Sequence, residues 1–291
     1  MDADEQTEAH RLDGRRAVYA VQGRTAPPRR AGPLTGVAGG LAVALVLGIV
    51  VFGAVLATSG RRQAAARAAA AAATTPATDA LDRVGAWSLT GQPEPVVQDG
   101  SGLRRDATVV GRTTATAGPR KDTKALLLAG GSLVTAGSVL DPNRSWSVSA
   151  WVRLDRLPAG FATAASQDAG PVSAFYLQYA GPDRRWALSA VAPDGSAAVR
   201  SLGAPARARR WYHLVGVRDA GSRTLQLYVD DVAAAAVPAP PVSPARGPFR
   251  IGAARYGAAT VDPWPGAVAR VDAFQRALTP AEVDGLFRAG P

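Results

Sequence analysis

In Ser145–Leu154 (SWSVSAWVRL) the side chains fall into two sets by strict alternation. Trp146, Val148, Ala150 and Val152 share one side, and Ser147, Ser149, Trp151 and Arg153 the other. A repeat of two residues is the signature of a half-buried β-strand, because successive side chains leave opposite faces of the sheet. Trp211–Asp231 (WYHLVGVRDAGSRTLQLYVDD) holds two more such runs around Asp219-Ala220-Gly221-Ser222, a glycine-containing hairpin connection. Strands of this kind need a second apolar layer, so the chain must build a sheet-on-sheet core.

Turn residues recur through the region 79–291 and separate further predicted strands. These lie near Val84–Leu89, Ala125–Leu128, Ser132–Thr135, Phe161–Ser166, Ala174–Tyr179, Trp186–Ala192, Ala197–Leu202, Phe249–Ala253 and Ala267–Phe274. The pattern predicts an all-β, antiparallel two-sheet sandwich. One helix closes it: Thr279 is a good N-cap, Pro280 suits the first helical position, and Glu282 completes a capping box. Val283, Leu286 and Phe287 would then pack on the sandwich.

Ahead of this domain, Leu34–Thr58 carries no charge. Its length exceeds the ~20 residues that cross a ~30 Å hydrocarbon core as a helix. The run begins too far from the N-terminus, and is too long, for an ordinary signal peptide. Even so, Ala57-Thr58-Ser59 has the small-x-small form of a cleavage site. Between Gly14 and Pro33, where there is no acid, Arg15, Arg16, Arg24, Arg29 and Arg30 precede the span, and Arg61, Arg62 and Arg67 follow it. The excess of positive charge on the N-terminal side places residues 1–33 in the cytoplasm as a disordered segment, and the C-terminal domain outside. Residues 59–78 read as an alanine-rich stalk ended by Pro76. The expected chain is thus a single-pass cell-membrane protein.

The formal charge of +10 invites a nucleic-acid reading. The arginines are scattered, however, and no element shows a basic stripe with interleaved aromatics, so no nucleic-acid partner is expected. With no cysteine there are no disulfides or thiolate metal sites, and the domain must stand on its core alone.

The order of motifs resembles the laminin-G-like, concanavalin A-type jelly roll. The residues that carry the resemblance are Trp87-Ser88-Leu89, Asp99-Gly100-Ser101-Gly102 with Asp106-Ala107-Thr108, Ala125 to Leu128, and Ser145 to Val152. Trp211 to Val215, Leu225 to Asp231, Arg250-Ile251-Gly252 and Gly266 through Val283 complete the set. The resemblance implies two curved antiparallel sheets, carbohydrate or protein ligands and, often, a neighbouring calcium ion. Where the family often carries an acidic pair, this chain has Ala269 and Arg270. The remaining metal candidates are Asp99 and Asp106, which read equally as turn acids. No other cofactor is expected. Glu8-Ala9-His10-Arg11, Arg15-Arg16 and Pro28-Arg29-Arg30 are similar to the anchor region of the single-span core subunit of type VII secretion machinery, which implies a membrane-complex partner.

Glycosidases on this fold commonly set Glu-x-Asp-x-Glu along one strand, and that run is missing. Beyond the span the glutamates are Glu94, between two prolines, and Glu282, the helix cap. The domain's one histidine, His213, lies within a strand, where a hydrogen-bonded structural role is the commoner one. The expectation is therefore a binding module without catalysis. Trp264, between Pro263 and Pro265, and Trp151, opposite Trp146, are the ligand-binding candidates, as exposed aromatics for a sugar. Arg184-Arg185 and Arg207–Arg210 are candidate contacts for acidic envelope polymers. An envelope glycan or protein is the expected ligand, with the lipid bilayer as anchor. A structural subunit of an envelope or secretion assembly is the rival reading, and a glycosidase the third.

Overall fold

The alternation in Ser145–Leu154 is realised as a nine-residue strand whose Trp146, Val148, Ala150 and Val152 are all buried. A computed structural model describes residues 82–90, 94–193, 198–241, 246–257 and 259–291. The predicted membrane span, the stalk and the cytoplasmic segment lie outside these residues. Among the described residues, no helix is long and apolar enough to cross a membrane.

In chain order the first strands are β1 (Gly85–Ser88), β2 (Val96–Val97), β3 (Ala107–Val110), β4 (Thr113–Ala117), β5 (Lys124–Leu128) and β6 (Ser132–Thr135). Long strands follow: β7 (Trp146–Leu154), β8 (Phe161–Ala169), β9 (Val172–Ala180), β10 (Arg185–Val191), β11 (Ala198–Pro205) and β12 (Trp211–Asp219). The remainder are β13 (Thr224–Val229), β14 (Val232–Ala233), β15 (Val237–Pro238), β16 (Phe249–Ile251), β17 (Ala254–Tyr256), β18 (Ala259–Val261) and β19 (Gly266–Phe274). Helix α1 (Pro280–Ala289) closes the chain.

The strands form two antiparallel sheets, as the sequence predicts. The first runs β14-β13-β12-β7-β19-β5-β4, with β1 paired to β19 and β15 to β13. The second runs β11-β10-β9-β8-β16-β6-β3-β2, with the β17–β18 hairpin hung on β9. Neighbours far apart in sequence, such as β7 with β19 and β8 with β16, give the crossed connections of a jelly roll.

Two aromatic clusters fill the space between the sheets. Trp87 stacks on Phe249 at 5.1 Å, and Phe175 lies 4.4 Å from Trp146. Trp186 stacks on Trp264 at 6.0 Å and meets Tyr212 edge-on at 5.0 Å. Fully buried rings of this size carry much of the stability of a core that has no covalent staple. Gln167 is polar yet fully buried, because its amide is matched: Oε1 accepts from the Val139 and Leu140 amides, and Nε2 donates to the Leu140 carbonyl.

The predicted cap forms. The Thr279 side chain accepts from the Glu282 amide, and the Glu282 carboxylate accepts from the Thr279 amide at 2.8 Å. Helix α1 then lays Val283 and Leu286 on Val215, Val217 and Phe274 of the outer face of the first sheet.

Candidate functional site

Beside the β1–β19 pair, residues from both sheets line a common hollow. A cleft of about 300 Å³ opens there, lined by Ser88, Leu89, Glu94, Val97, Gln98 and Leu126 among others. Leu89 and Leu126 are buried and supply an apolar floor. Ser88, Glu94 and Gln98 are exposed and set a hydroxyl, a carboxylate and an amide around it. An apolar floor with a few convergent polar groups is the usual form of a small-molecule or sugar subsite.

The wall of this cleft is held by the predicted metal candidates. Asp99 Oδ1 accepts from the Ala86 and Ser101 amides, and Oδ2 from the Ser101 hydroxyl and the Arg105 amide. Burial pushes the Asp99 carboxyl up, but these hydrogen bonds outweigh it and leave the group below its ordinary value. Asp106 Oδ1 accepts from the Asp99 amide at 2.8 Å. Carboxylate oxygens already matched to N–H and O–H donors compete with a cation, and the turn does not fit a calcium site. Among the described residues, no group of three or more His, Cys, Asp or Glu side chains gathers as metal ligands. The acids serve instead to staple the segment before β3 onto β1.

The two predicted aromatic platforms sit elsewhere. Trp264 is 1 % exposed, a correction to its reading as an exposed loop aromatic. Its indole stacks on Trp186 and donates to the Arg153 carbonyl at 3.2 Å, so the Pro-Trp-Pro segment plugs the end of the core. Trp151 does face away from Trp146, on the outer side of the first sheet, and is half-buried. His213 stacks against it at 5.1 Å and Phe287 of α1 at 5.8 Å, so its ring is a seat for the helix. His213 is fully buried and exchanges a 2.8 Å hydrogen bond between Nε2 and the Ser149 hydroxyl. Burial pushes its imidazole down to about 3, the state of a neutral structural residue.

The cleft residues Ser88, Glu94 and Gln98 were not singled out as a site by sequence reasoning. They lie close together in sequence, but Leu126 does not, and the β1–β19 and β19–β5 pairings bring Ser88 toward it.

A jelly roll of two antiparallel sheets is an architecture found among lectin domains. Residues 106–284 match the family Laminin_G_3, described as the concanavalin A-like lectin/glucanases superfamily, and the chain belongs to that family. No curated protein matches it.

Among solved structures, domain 4 of AbnA, a GH43 extracellular arabinanase from Geobacillus stearothermophilus, in complex with arabinotriose, aligns with a TM-score of 0.56. The identity is 19 %, over 70 % of this chain and 97 % of that one. A Trypanosoma rangeli sialidase aligns with a TM-score of 0.53 at 19 % identity, over 71 % of this chain and 32 % of the sialidase. The match therefore spans about a third of the sialidase's length. The binding domain of Botulinum neurotoxin DC, in complex with rat synaptotagmin II, aligns with a TM-score of 0.55 at 9 % identity, over 73 % of this chain and 52 % of that one. At these identities the likeness is one of fold.

These matches correct the exclusion of catalysis drawn from the sequence. The family takes in glucanases, and chains of the same fold belong to a sialidase and an arabinanase. A missing Glu-x-Asp-x-Glu run rules out one placement of carboxylates along one strand. It says nothing of carboxylates brought together from different segments, as Glu94 is brought to this cleft.

Proposed function

We propose that the chain is a membrane-anchored, extracytoplasmic module that engages carbohydrate at the cleft of Ser88, Glu94 and Gln98. The observation that carries this reading is the cleft itself: three exposed hydrogen-bonding groups around the buried Leu89 and Leu126, in a domain of the lectin/glucanase family. The uncharged run Leu34–Thr58 supplies the anchor in this reading, and the arginine excess before it the orientation. A sugar's apolar face suits the leucines, and its hydroxyls suit the carboxylate and amide, each of which accepts hydrogen bonds in a fixed direction.

A second reading, hydrolysis of the bound glycan, is favoured by Glu94, a carboxylate placed where a sugar would lie. Glycoside hydrolysis ordinarily takes two carboxylates roughly 5–9.5 Å apart. Glu94 is the one carboxylate among the described residues that line the cleft, so binding is the leading reading.

Titration calorimetry of the detergent-solubilised full chain with a panel of soluble oligosaccharides tests the site. Saturable binding that Glu94→Gln and Gln98→Ala each weaken by about tenfold, some 1.4 kcal/mol, is the expected result. Binding unchanged in both variants, or none across the panel, would sink it. Release of reducing ends in the same mixtures would establish the hydrolytic reading. Retention of the chain in the membrane pellet after carbonate extraction tests the anchor.

A further inference from the structure

One end of the sandwich collects arginines that the sequence scatters. Three connections meet there: residues 155–160 after β7, 181–184 after β9, and 206–210 after β11. Backbone hydrogen bonds tie them together. The Arg209 amide donates to the Leu154 carbonyl, the Ala206 amide to the Arg184 carbonyl at 3.2 Å, and the Gly181 amide to the Gly160 carbonyl at 3.1 Å. The Arg207 amide donates to the Tyr212 hydroxyl at 3.0 Å, and Tyr212 rests on Trp186.

Two glycines permit the close crossing. A Cβ on Gly181 would stand 2.2 Å from the Ala159 carbonyl oxygen, and one on Gly266 would stand 1.9 Å from that of Arg153. The rim is therefore fixed by the aromatic floor of Trp186 and Trp264 beneath it.

The charges on this rim do not balance. Asp155 pairs with Arg153, Asp230 with Arg210, and Asp183 with Arg200. Arg156, Arg184, Arg207 and Arg209 are exposed, and among the described residues no ion pair takes them. Beside them Trp211 is half-buried, with the Arg153 guanidinium 5.3 Å from its ring centre. Guanidinium groups present planar, paired donors that match carboxylates and sulfates two at a time. Four uncommitted forks on a rigid rim, with an indole alongside, suit repeated acidic groups on a saccharide chain.

We propose that this rim is a second binding surface, for an acidic polysaccharide, distinct from the cleft of Glu94. It stands independently of the cleft reading. The indole favours a saccharide over a lipid surface, and a lone ring gives nucleic acid no series of bases to stack on.

The test uses the full chain in a neutral detergent, with polygalacturonate as the acidic probe and dextran of equal length as the blank. We expect binding to polygalacturonate and none to dextran, with affinity falling as salt rises. The triple variant Arg156→Ser, Arg207→Ser, Arg209→Asn should lose about tenfold or more in affinity. Asparagine suits position 209, where φ is +62°.

A charge-matched control, Lys121→Ser, Arg144→Ser, Arg223→Asn, should stay within about twofold, since it touches turns at the far end of the strands from the rim. Arg144 and Arg223 flank the opposite ends of β7 and β12. Thermal melting of both variants guards against misfolding, and loss of polygalacturonate binding in Glu94→Gln with the rim variant unaffected would assign that binding to the cleft and overturn the proposal. Equal losses in the two triple variants would reduce the effect to net charge and overturn the proposal. So would absence of polygalacturonate binding, or tighter binding to single-stranded DNA or to anionic vesicles.

Discussion

The outer face of the first sheet and the cleft beside β1 are both mixtures of apolar and polar groups, yet they are finished in opposite ways. Under helix α1, Val215, Val217 and Phe274 are sealed by Val283 and Leu286, and His213 is closed between Trp151 and Phe287. In the cleft, Leu89 and Leu126 are floored but not roofed, and Glu94 and Gln98 face solvent. The difference separates residues that hold the fold from residues free to meet a ligand. Change under the helix should register as stability, and change in the cleft as affinity.

The largest expected effect is on the sealed side. The His213 imidazole sits at about 3 when folded against 6.5 for the ordinary group. Below pH 6.5 the unfolded chain takes up a proton that the folded chain refuses, so stability is lost as pH falls toward 3. The loss by linkage is up to about 5 kcal/mol. Urea midpoints measured from pH 7 to pH 4 check this, and a His213→Gln variant should flatten that part of the slope. A midpoint independent of pH would mean that His213 is solvated.

Next comes Trp264→Ala, which should cost about 3–5 kcal/mol as a large buried aromatic, read as a fall in melting temperature. A change under about 0.5 kcal/mol would restore Trp264 as a surface residue. Thr279→Ala should cost about 1 kcal/mol, because it removes one half of the capping box. Smallest in stability is Glu94→Gln, expected within about 0.5 kcal/mol because the residue is exposed. If it proves the most destabilising of the set, the division between sealed and open regions fails.

The long strands were legible because two-residue alternation over eight or nine positions admits no competing period. Both β7 and β12 fall within a residue or so of their predicted bounds. Helix α1 was legible for a different reason, since Thr279, Pro280 and Glu282 each perform a local task that no tertiary contact has to supply.

Strands β2, β14 and β15 have two residues each, too few to show any alternation; β4 is an edge strand, and β3 has only the two-residue β2 on its outer side, which leaves residues such as Val110 exposed. Trp264 was misread because proline neighbours signal a loop, and a loop is ordinarily outside. Here the loop crosses the mouth of the core, and the indole is the stopper. The cleft was beyond sequence reasoning, whereas Arg184-Arg185 and Arg207–Arg210 were singled out in the sequence but not their meeting with Arg156 at one end of the sandwich. Ser88 and Leu126, like Arg156 and Arg207, are neighbours only through strand pairing and loop crossing.

The uneven burial of the six tryptophans has a practical use. Trp87, Trp146, Trp186 and Trp264 are sealed in the interior, while Trp151 and Trp211 are partly open. A collisional quencher such as iodide would therefore reach two emitters and spare four. Since Phe287 of α1 leans on one of the reachable pair, peeling of the terminal helix would brighten or redden a distinct fraction of the light, and the domain carries its own gauge of that motion.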